Sequence, residues 1–399
     1  MRCRLDVKLS RRALAIEPSP TLTISAKAAK LRAAGEDVIN LAAGEPDFGT
    51  PENAVEAAIR AIRDGFTKYT LVGGILSLRA AIARKFKNDN DLEYSPEEIL
   101  VSVGCKHSFY NLVQALLDPG DEVIIPAPYW VSYPDMVKLA GGKPVIIETG
   151  IEEGFKITEQ QLQRAIGPKT RMLVLNSPSN PTGAAYSLGE LKRLGQILEK
   201  HSEILIASDD IYEHILWRDE RFSNILNACP NLTQQTVVLN GVSKVYAMTG
   251  WRIGYAAGPK HLIRAMKDLQ SQTTSNATSI AQVAAQAALE GDQGLVEERC
   301  RIFKERHDFV YERLTGLPGT KCRASDGTFY IFPEMNALID QMDNVENDVE
   351  LGEFLLDKAK VAVVPGSAFG APGYIRLSFA TGMDKLEAAM DRLEQAVNP

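Results

Sequence analysis

Between residues 98 and 257 the sequence repeats one pattern, a short apolar run followed by an amphipathic segment with helical spacing. Several runs are apolar at consecutive positions, as in residues 204–207 (Ile-Leu-Ile-Ala), which is typical of strands covered on both faces. Strands that alternate with helices usually pair in parallel through right-handed crossovers. The pattern therefore predicts an α/β fold with a mostly parallel sheet flanked by helices.

Seven segments carry the strand pattern, and helical patterns such as Leu188–Lys200 lie between them. The predicted strands are Glu98–Val103, Asp121–Pro126, Lys143–Glu148, Arg171–Asn176, Glu203–Ser208, Thr236–Asn240 and Ile253–Ala257. A helix is predicted between Thr50, which can cap it, and Gly65, which ends it, with Pro51 in the first turn. Its apolar face comprises Val55, Ala58, Ile59 and Ile62.

The pattern changes after about Gly291, which indicates a second, smaller α+β domain. A long charged helix is followed by the strand-like segments Thr328–Phe332, Val361–Val364 and Tyr374–Phe379, and by a last helix from Asp384. A chain of 399 residues favours two domains. We predict a large domain of residues 46–295 and a discontinuous small domain of residues 1–45 and 296–399.

Charge and cysteine usage exclude several classes of protein. The net charge of −7 argues against nucleic-acid binding, which usually needs a basic surplus. The cysteines are Cys3, Cys105, Cys229, Cys300 and Cys322. Their odd number and the absence of a C-x-x-C spacing predict reduced thiols in an intracellular protein, with neither a disulfide frame nor a metal site.

The sequence also gives no sign of a membrane segment. No apolar run approaches the roughly 20 residues that a membrane helix needs. Residues 1–12 contain basic side chains without an apolar stretch behind them, unlike a secretory signal. We expect a soluble cytoplasmic protein, or one of the plastid stroma if a targeting segment has been removed.

The segment Asn240–Tyr255 carries the strongest chemical signal. Lys244 comes just after an apolar strand, and Arg252 follows eight residues later among glycines. Ligands of open α/β sheets bind at the carboxyl ends of strands. A desolvated lysine near other cations has a lowered pKa and becomes a nucleophile toward aldehydes. The segment thus predicts a reactive lysine in a ligand site.

Polar and aromatic residues collect at four other strand ends. These segments are Val103–His107, Pro126–Trp130, Asn176–Gly183 and Ser208–Tyr212. In the first of them a strand leads into a helix whose backbone N–H groups can hold a phosphate. Because parallel strands end at one edge of a sheet, the pattern predicts a single site built from several loops.

Together these segments resemble the aspartate aminotransferase family, which belongs to fold type I of the pyridoxal-phosphate enzymes. Residues 243–252 (SKVYAMTGWR) match a highly specific motif, and residues 44–48 (GEPDF) and 180–183 (NPTG) occur in the family's order. The resemblance runs from about Ser10 to the C-terminal helix and is strongest to the bacterial and plant subgroup that includes prephenate aminotransferases. It implies pyridoxal 5′-phosphate as cofactor and amino acids and 2-oxo acids as substrates.

The resemblance also implies roles around the cofactor. Lys244 matches the Schiff-base lysine, which later moves the proton between the substrate Cα and the cofactor's C4′. Asp209 matches the carboxylate that pairs with the pyridine nitrogen and keeps the ring an electron sink. Tyr212 and Asn180 match residues at the phenolic oxygen, Asn180 also being close to the substrate carboxylate. Trp130 matches the aromatic side chain that stacks on the ring and borders the substrate.

Further matches concern the phosphate and the dimer. Arg252 resembles the arginine on the cofactor's phosphate, helped by the backbone near Cys105 and Lys106. Tyr69 resembles a tyrosine that reaches the phosphate from the neighbouring subunit. The resemblance therefore implies a homodimer with shared active sites.

The remaining matches concern the substrate. Arg376 resembles the arginine that binds the α-carboxylate, and Gly44 offers its backbone to the same group. Lys106 resembles a lysine that serves the distal carboxylate, and Thr21 a threonine of the prephenate-using members. The alternative is that Lys106 only adds charge near the phosphate and Thr21 only caps a helix.

Four positions depart from the family's usual pattern. Cys105 stands where a glycine or another small residue is common, His107 where glutamine is common, Asp210 in place of glutamate and Gly49 in place of aspartate. None of them has an assigned bond-making role. Cys105 and His107 flank the phosphate turn and are candidates for tuning its affinity.

The resemblance implies transamination among aspartate, glutamate, oxaloacetate and 2-oxoglutarate, with prephenate as an extra acceptor. Two other interpretations stay open, since fold alone does not fix the reaction. A relative could act as a β-lyase or a cyclopropane-forming synthase. A transcription regulator would need a DNA-binding module, for which the chain has no room before Ser10 or after Pro399. The glycine spacing of residues 250–258 fits close backbone packing better than a membrane or dinucleotide motif.

Overall fold

The computed structural model describes residues 7–16, 18 and 20–397, so Cys3, Glu17 and Ser19 lie outside the described residues. The strands are β1 Ile39–Asn40, β2 Ile99–Val103, β3 Glu122–Ala127, β4 Lys143–Glu148, β5 Thr170–Asn176, β6 Leu205–Asp209, β7 Thr236–Gly241, β8 Ile253–Ala257, β9 Tyr330–Ile331, β10 Val361–Ala362, β11 Val364–Pro365 and β12 Ile375–Ser378. The helices are α1 Arg11–Leu14, α2 Pro20–Ala33, α3 Glu52–Arg63, α4 Leu76–Asn90, α5 Cys105–Leu116, α6 Ser132–Leu139, α7 Glu159–Ala165, α8 Leu188–Leu198, α9 Ile225–Ala228, α10 Lys260–Ser271, α11 Ser279–Glu290, α12 Gly294–Thr315, α13 Asn336–Ile339, α14 Asp348–Phe354 and α15 Met383–Val397.

Seven strands form the central sheet, in the order β2-β8-β7-β6-β5-β3-β4. The strands β3 to β7 pair in parallel, whereas β8 runs antiparallel to both β2 and β7. Every position of β6, β7 and β8 is buried, which explains why these strands are apolar at consecutive positions. The predicted α/β fold and its seven strands are confirmed.

The sheet topology brings the predicted site segments to one edge. Asn176, the last residue of β5, pairs with Asp209, the last residue of β6. Asp209 in turn pairs with Leu239 in β7, the strand that ends three residues before Lys244. The parallel register therefore places a carboxylate and a lysine at the carboxyl ends of neighbouring strands.

Helix α3 differs from its prediction in two respects, the residue that caps it and the face that it buries. Thr50 does not cap it: Pro51 is the N-cap residue, and the Thr50 hydroxyl accepts a hydrogen bond of 2.9 Å from Trp251 Nε1. The buried face consists of Ala54, Ala58 and Ala61, and Ile62 is 52% exposed. The predicted apolar face is therefore confirmed at Ala58 and wrong at Ile62, while Val55 and Ile59 are half-buried. Small side chains let α3 approach the alanine-rich helix α11 closely. Gly65 follows the helix end with φ +74°, as expected.

The C-terminal part forms two small sheets. β9, β11 and β12 make an antiparallel sheet, and β1 pairs in parallel with β10. The segment before residue 45 thus contacts the C-terminal part, as predicted, while the proposed domain limits at residues 45/46 and 295/296 stay a prediction. Helix α12 runs across the second of these limits. Within the described ranges, none of the helices combines the length and apolar character needed to cross a bilayer.

Candidate active site

One cleft of about 550 Å³ opens at the carboxyl ends of the central strands, between the sheet and the C-terminal part. Eleven of the twelve predicted site residues line it, namely Thr21, Gly44, Cys105, Lys106, Trp130, Asn180, Asp209, Tyr212, Lys244, Arg252 and Arg376. Tyr69 does not. Its side chain is 91% exposed on the surface, which is the placement expected of a residue that serves a neighbouring subunit.

Lys244 is held without a carboxylate. Its Nζ donates a hydrogen bond of 2.8 Å to the carbonyl oxygen of Gly44. It also lies 5.4 Å from the centroid of the Tyr212 ring and 5.7 Å from that of Phe329. No ion pair involves Lys244 in the part of the chain that the structure describes. A half-buried amine in aromatic surroundings, held by one neutral acceptor and by no carboxylate of the described residues, can exchange that acceptor for an electrophile.

Asp209 is a buried carboxylate that lacks a cationic partner among the described side chains. It is 4% exposed, and its Oδ2 accepts a hydrogen bond of 2.5 Å from the Tyr133 hydroxyl. Oδ1 accepts from the Ile211 N–H at 3.3 Å and lies 3.8 Å from Cys105 Sγ. Burial raises the pKa of Asp209, and the hydrogen bonds only partly offset this effect. A buried anion of this kind fits a cationic ligand group, such as a protonated ring nitrogen.

Sequence reasoning missed two tyrosines of the site, Tyr133 and Tyr330. Tyr133 follows the predicted Trp130 by three residues, which was the available signal, and its hydroxyl holds Asp209. The Tyr330 hydroxyl lies 3.1 Å from that of Tyr212. A Cβ on Gly44 would lie only 2.9 Å from Tyr330 Oη, so this wall of the cleft requires glycine.

Arg376 is a buried cation without an anionic partner among the described residues. It is 2% exposed, and burial lowers the pKa of its guanidinium group. Nη1 donates to Asn180 Oδ1 at 2.9 Å and Nη2 to the Ala42 carbonyl at 2.8 Å, while Nε finds no partner in the described part of the chain. The Tyr330 ring lies 4.3 Å away. A guanidinium group left in this state is completed by a carboxylate ligand, which accepts two parallel hydrogen bonds.

The turn before α5 forms an anion cradle with Arg252. Gly104 precedes the helix with φ +82° and gives it no side-chain cap, so the first N–H groups stay available. A Cβ on Gly104 would lie 2.4 Å from Arg252 Nη2, and one on Gly254 would lie 2.1 Å from the Cys105 nitrogen. Two glycines therefore let the guanidinium group meet the start of the helix, a donor set that suits phosphate.

Lys106 adds a third cation to the cleft, beside Arg252 and Lys244. Its Nζ lies 4.9 Å from the centroid of the Trp130 ring, which lines the same cleft. Burial lowers the pKa of Lys106, and the two neighbouring cations lower it further. Thr21, in the first turn of α2, lines the same cleft.

Two departures from the family pattern have distinct surroundings. The Cys105 thiol contacts Asp209, and burial together with that carboxylate raises the pKa of the thiol. His107 does not line the cleft: its Nδ1 accepts a hydrogen bond of 3.4 Å from the Val103 N–H, and burial lowers the pKa of the ring.

Three features together define a transferase of fold type I. They are a lysine beyond one strand, a buried carboxylate at the end of the neighbouring strand and an anion cradle at the end of a third strand. The chain belongs to the class I and II aminotransferase family, whose model matches residues 36–393. The family resemblance, the fold class and the assignment as an aminotransferase are thereby confirmed.

Two curated relatives cover nearly the whole chain. The aspartate/prephenate aminotransferase of Nitrosomonas europaea is 58% identical over 392 residues, 97% of this chain and 99% of that protein. The aspartate aminotransferase of Geobacillus stearothermophilus is 51% identical over 390 residues, 98% of both chains.

Solved structures give the same result. An aspartate aminotransferase from Rhizobium meliloti superposes with a TM-score of 0.94 at 44% identity, covering 98% of this chain and 99% of that one. The aspartate aminotransferase of Thermus thermophilus with maleate superposes with a TM-score of 0.91, also at 44% identity, covering 98% and 100%.

Proposed function

We propose that the protein transfers amino groups between L-aspartate or L-glutamate and 2-oxo acids, and that prephenate is an additional acceptor. The observation that carries this proposal is the pair of cations Arg376 and Lys106, which face one cleft and have no carboxylate partner among the described residues. Two carboxylates of one substrate would complete both. The two relatives, an aspartate/prephenate aminotransferase and an aspartate aminotransferase, support the same substrates.

We further propose pyridoxal 5′-phosphate as the cofactor, because the donor set fits it. When bound, this group supplies an electron sink for the negative charge that forms at the substrate Cα. Asp209, buried without a cation, would hold its ring nitrogen in the protonated form. Arg252 and the free N–H groups at the start of α5 would hold its phosphate.

Three further side chains would orient the cofactor ring. Tyr212 and Asn180 line the cleft and would bind its phenolic oxygen, and the Tyr212 hydroxyl is already paired with Tyr330. Trp130, which lines the same cleft, would stack on one face of the ring.

Lys244 carries out the proton transfer in this proposal. Its amine would hold the cofactor covalently and would become free to act as a base once the substrate is bound. The free Nζ then takes the proton from the substrate Cα and delivers it to C4′. Arg376 and the Gly44 backbone meanwhile fix the α-carboxylate, so that Cα stays within reach of Nζ.

Replacement of Lys106 with methionine tests the assignment of the distal carboxylate. The change removes the charge and keeps most of the side-chain volume. We expect the transition state with aspartate to lose about 1.5–3 kcal/mol of stabilisation, because one hydrogen bond to a charged group is lost. The value of kcat/KM for aspartate should therefore fall roughly ten- to over a hundredfold. Alanine and phenylalanine should be spared. Lys260→Met, on the exposed start of α10, is the matched control. Equal losses for both substrate classes would show that Lys106 serves the cofactor instead.

A panel of donors and acceptors tests the reaction itself. Aspartate and glutamate should each transfer to oxaloacetate, 2-oxoglutarate and prephenate, and Thr21→Ala should weaken prephenate turnover more than aspartate turnover. If prephenate is inert while aspartate reacts, only the dicarboxylate part of the proposal survives. Ammonia release without any 2-oxo acid would favour a β-lyase.

A homodimer with shared active sites is also proposed. The segment 66–76 exposes large apolar side chains, with Phe66 40%, Tyr69 91%, Leu71 57% and Leu76 60% exposed. Such a patch is typical of a protein interface. Light scattering should give twice the chain mass of 43.7 kDa, and Tyr69→Phe should weaken cofactor binding without breaking the dimer. A fully active monomer would contradict the proposal.

We also propose that the protein is located in the cytoplasm. The four described cysteines, Cys105, Cys229, Cys300 and Cys322, are free thiols. Free thiols suit a reducing compartment such as the cytoplasm.

A further inference from the structure

Two loops of the active site are joined by a direct hydrogen bond and by an arginine that binds both of them. Loop A, residues 42–50, carries the Ala42 carbonyl that binds Arg376 and the Gly44 carbonyl that binds Lys244. Loop B, residues 243–251, carries Lys244 itself. The spacing of the two loops therefore sets the distance between the carboxylate site and the reactive amine.

The direct link between the loops depends on an amine that the proposed function also uses. Lys244 Nζ donates to the Gly44 carbonyl at 2.8 Å. If that nitrogen held the cofactor covalently, as the proposed function requires, it would keep fewer of the three hydrogens of an ammonium group, and its link to Gly44 would be weakened or lost. Another group must then keep the two loops in register.

Arg299, on helix α12, binds the main chain of both loops. Nη1 donates to the Val245 carbonyl of loop B at 2.7 Å, and Nη2 donates to the Gly49 carbonyl of loop A at 2.7 Å. The two acceptors share one planar, rigid group, so their separation is fixed by the guanidinium geometry. Among the described side chains, Arg299 alone donates to backbone carbonyls in both loops.

Neighbouring contacts hold Arg299 itself in place. Its Cζ lies 5.1 Å from the centroid of the Phe48 ring. Arg306, about two turns further along α12, lies 5.4 Å from the same ring and forms two hydrogen bonds of 2.7 and 2.9 Å with Asp47. Loop A is thus stacked and ion-paired on the helix that presents Arg299.

Two side-chain pairs also cross between the loops. Thr249 Oγ1 donates to Glu45 Oε2 at 2.8 Å, and Trp251 Nε1 donates to Thr50 Oγ1 at 2.9 Å. Each pair supplies one hydrogen bond between two side chains, whereas Arg299 supplies two to main-chain oxygens; its bond to Gly49 is exposed, as is the Thr249–Glu45 pair. They restrain the loops less than a fork that grips two carbonyl oxygens.

We propose that Arg299 is a positioning residue that keeps loop A and loop B in register after the Lys244 amine has left the Gly44 carbonyl. The proposal rests on the proposed function for the order of events. It does not give Arg299 any contact with the substrate or cofactor. Its role is to keep Gly44 and Arg376 at a constant distance from Lys244 through the reaction.

Hydrogen exchange of loop A in the cofactor-free chain tests the redundancy of the two links. Lys244→Ala and Arg299→Ala should each leave the exchange of residues 44–49 within about threefold of the parent chain. The double variant should raise it about tenfold or more, the ratio expected for a lost hydrogen bond to a charged group. Additive effects of the two changes would overturn the proposal. This experiment needs no cofactor, so its outcome is independent of the proposed function.

The holoenzyme tests the consequence for binding. With Lys244 bonded to the cofactor, Arg299→Ala alone should release loop A, raise the KM for aspartate about tenfold and change kcat less than threefold. Arg299→Lys should recover part of the loss, because an ammonium group can reach one of the two carbonyls. Arg301→Ala, an exposed arginine paired with Glu305 on the same helix, is the matched control. An unchanged KM in a folded Arg299→Ala holoenzyme would refute the role.

Discussion

Replacement of Lys244 with alanine should lower the rate of transamination more than about a thousandfold, because one side chain supplies both the covalent attachment and the base. Lys244→Arg should be as inactive. A guanidinium group keeps the positive charge but stays protonated, so it can neither attack an aldehyde nor take a proton from Cα. The comparison of the two variants thus separates the chemistry of the amine from its charge.

Chemical labelling is a second, independent test of the role of Lys244. Borohydride reduction of the purified protein should fix a phosphopyridoxyl group on Lys244 alone, and peptide mapping should locate it there. Lys260→Ala, an exposed lysine outside the cleft, is the control for both measurements and should be fully active. A label on another lysine, or substantial activity in Lys244→Arg, would refute the assignment.

The sequence predicted the strands of the central sheet well because their signal is local. Residues 204–207 are apolar at every position, and the structure buries the whole of β6 between two layers. The loops after these strands were equally informative. Asn176 and Asp209 each end a strand, and parallel pairing puts any two such residues at the same edge.

Other features depend on partners that are distant in sequence, and prediction failed or was incomplete there. Thr50 has the right type and position for a helix cap, but its hydroxyl accepts a hydrogen bond from Trp251 instead. Ile62 fits an apolar helix face, yet the alanines of α11 favour a closer approach on the alanine side of α3. Tyr133 and Tyr330 look like ordinary core residues until the fold places their hydroxyls beside Asp209 and Tyr212.

The functional residues share a physical property that the sequence could not reveal. Asp209 and Arg376 are both buried ions, yet each lacks an oppositely charged partner among the described side chains. Leaving charges in this state destabilises a fold unless a ligand completes them. The family motifs pointed to these two residues, and their unpaired burial is a physical reason for the cofactor and substrate roles proposed for them.

Asp209→Asn is expected to lower kcat by roughly a hundredfold to several thousandfold, the effect of removing one partner from a buried ion pair worth about 3–5 kcal/mol. Asparagine keeps the shape and can still accept the hydrogen bond from Tyr133, but it cannot hold a ring nitrogen in the protonated form. Substrate binding should change far less, since Arg376 and Lys106 lie elsewhere in the cleft. Single-turnover measurements of Cα proton removal would detect the loss directly, and an unchanged rate would exclude the role.

The stability of the cofactor-free protein should respond in the opposite direction. Burial raises the pKa of Asp209 above its ordinary value, so the folded chain binds its proton more tightly than the unfolded chain does. Such a group destabilises the fold once the pH rises above its ordinary pKa, so a penalty applies at neutral pH. Asp209→Asn removes the penalty, so its thermal midpoint at pH 7 should equal or exceed that of the parent.

Asp210→Asn is the control that separates the effect on stability from the effect on the rate of Cα proton removal. Asp210 is also buried with a raised pKa, but Ser208 and Asn224 hold its carboxylate outside the cleft. Its substitution should leave the rate of Cα proton removal nearly unchanged. If Asp209→Asn lowers the thermal midpoint of the cofactor-free protein and the proton-removal rate together, Asp209 serves the fold and not the cofactor.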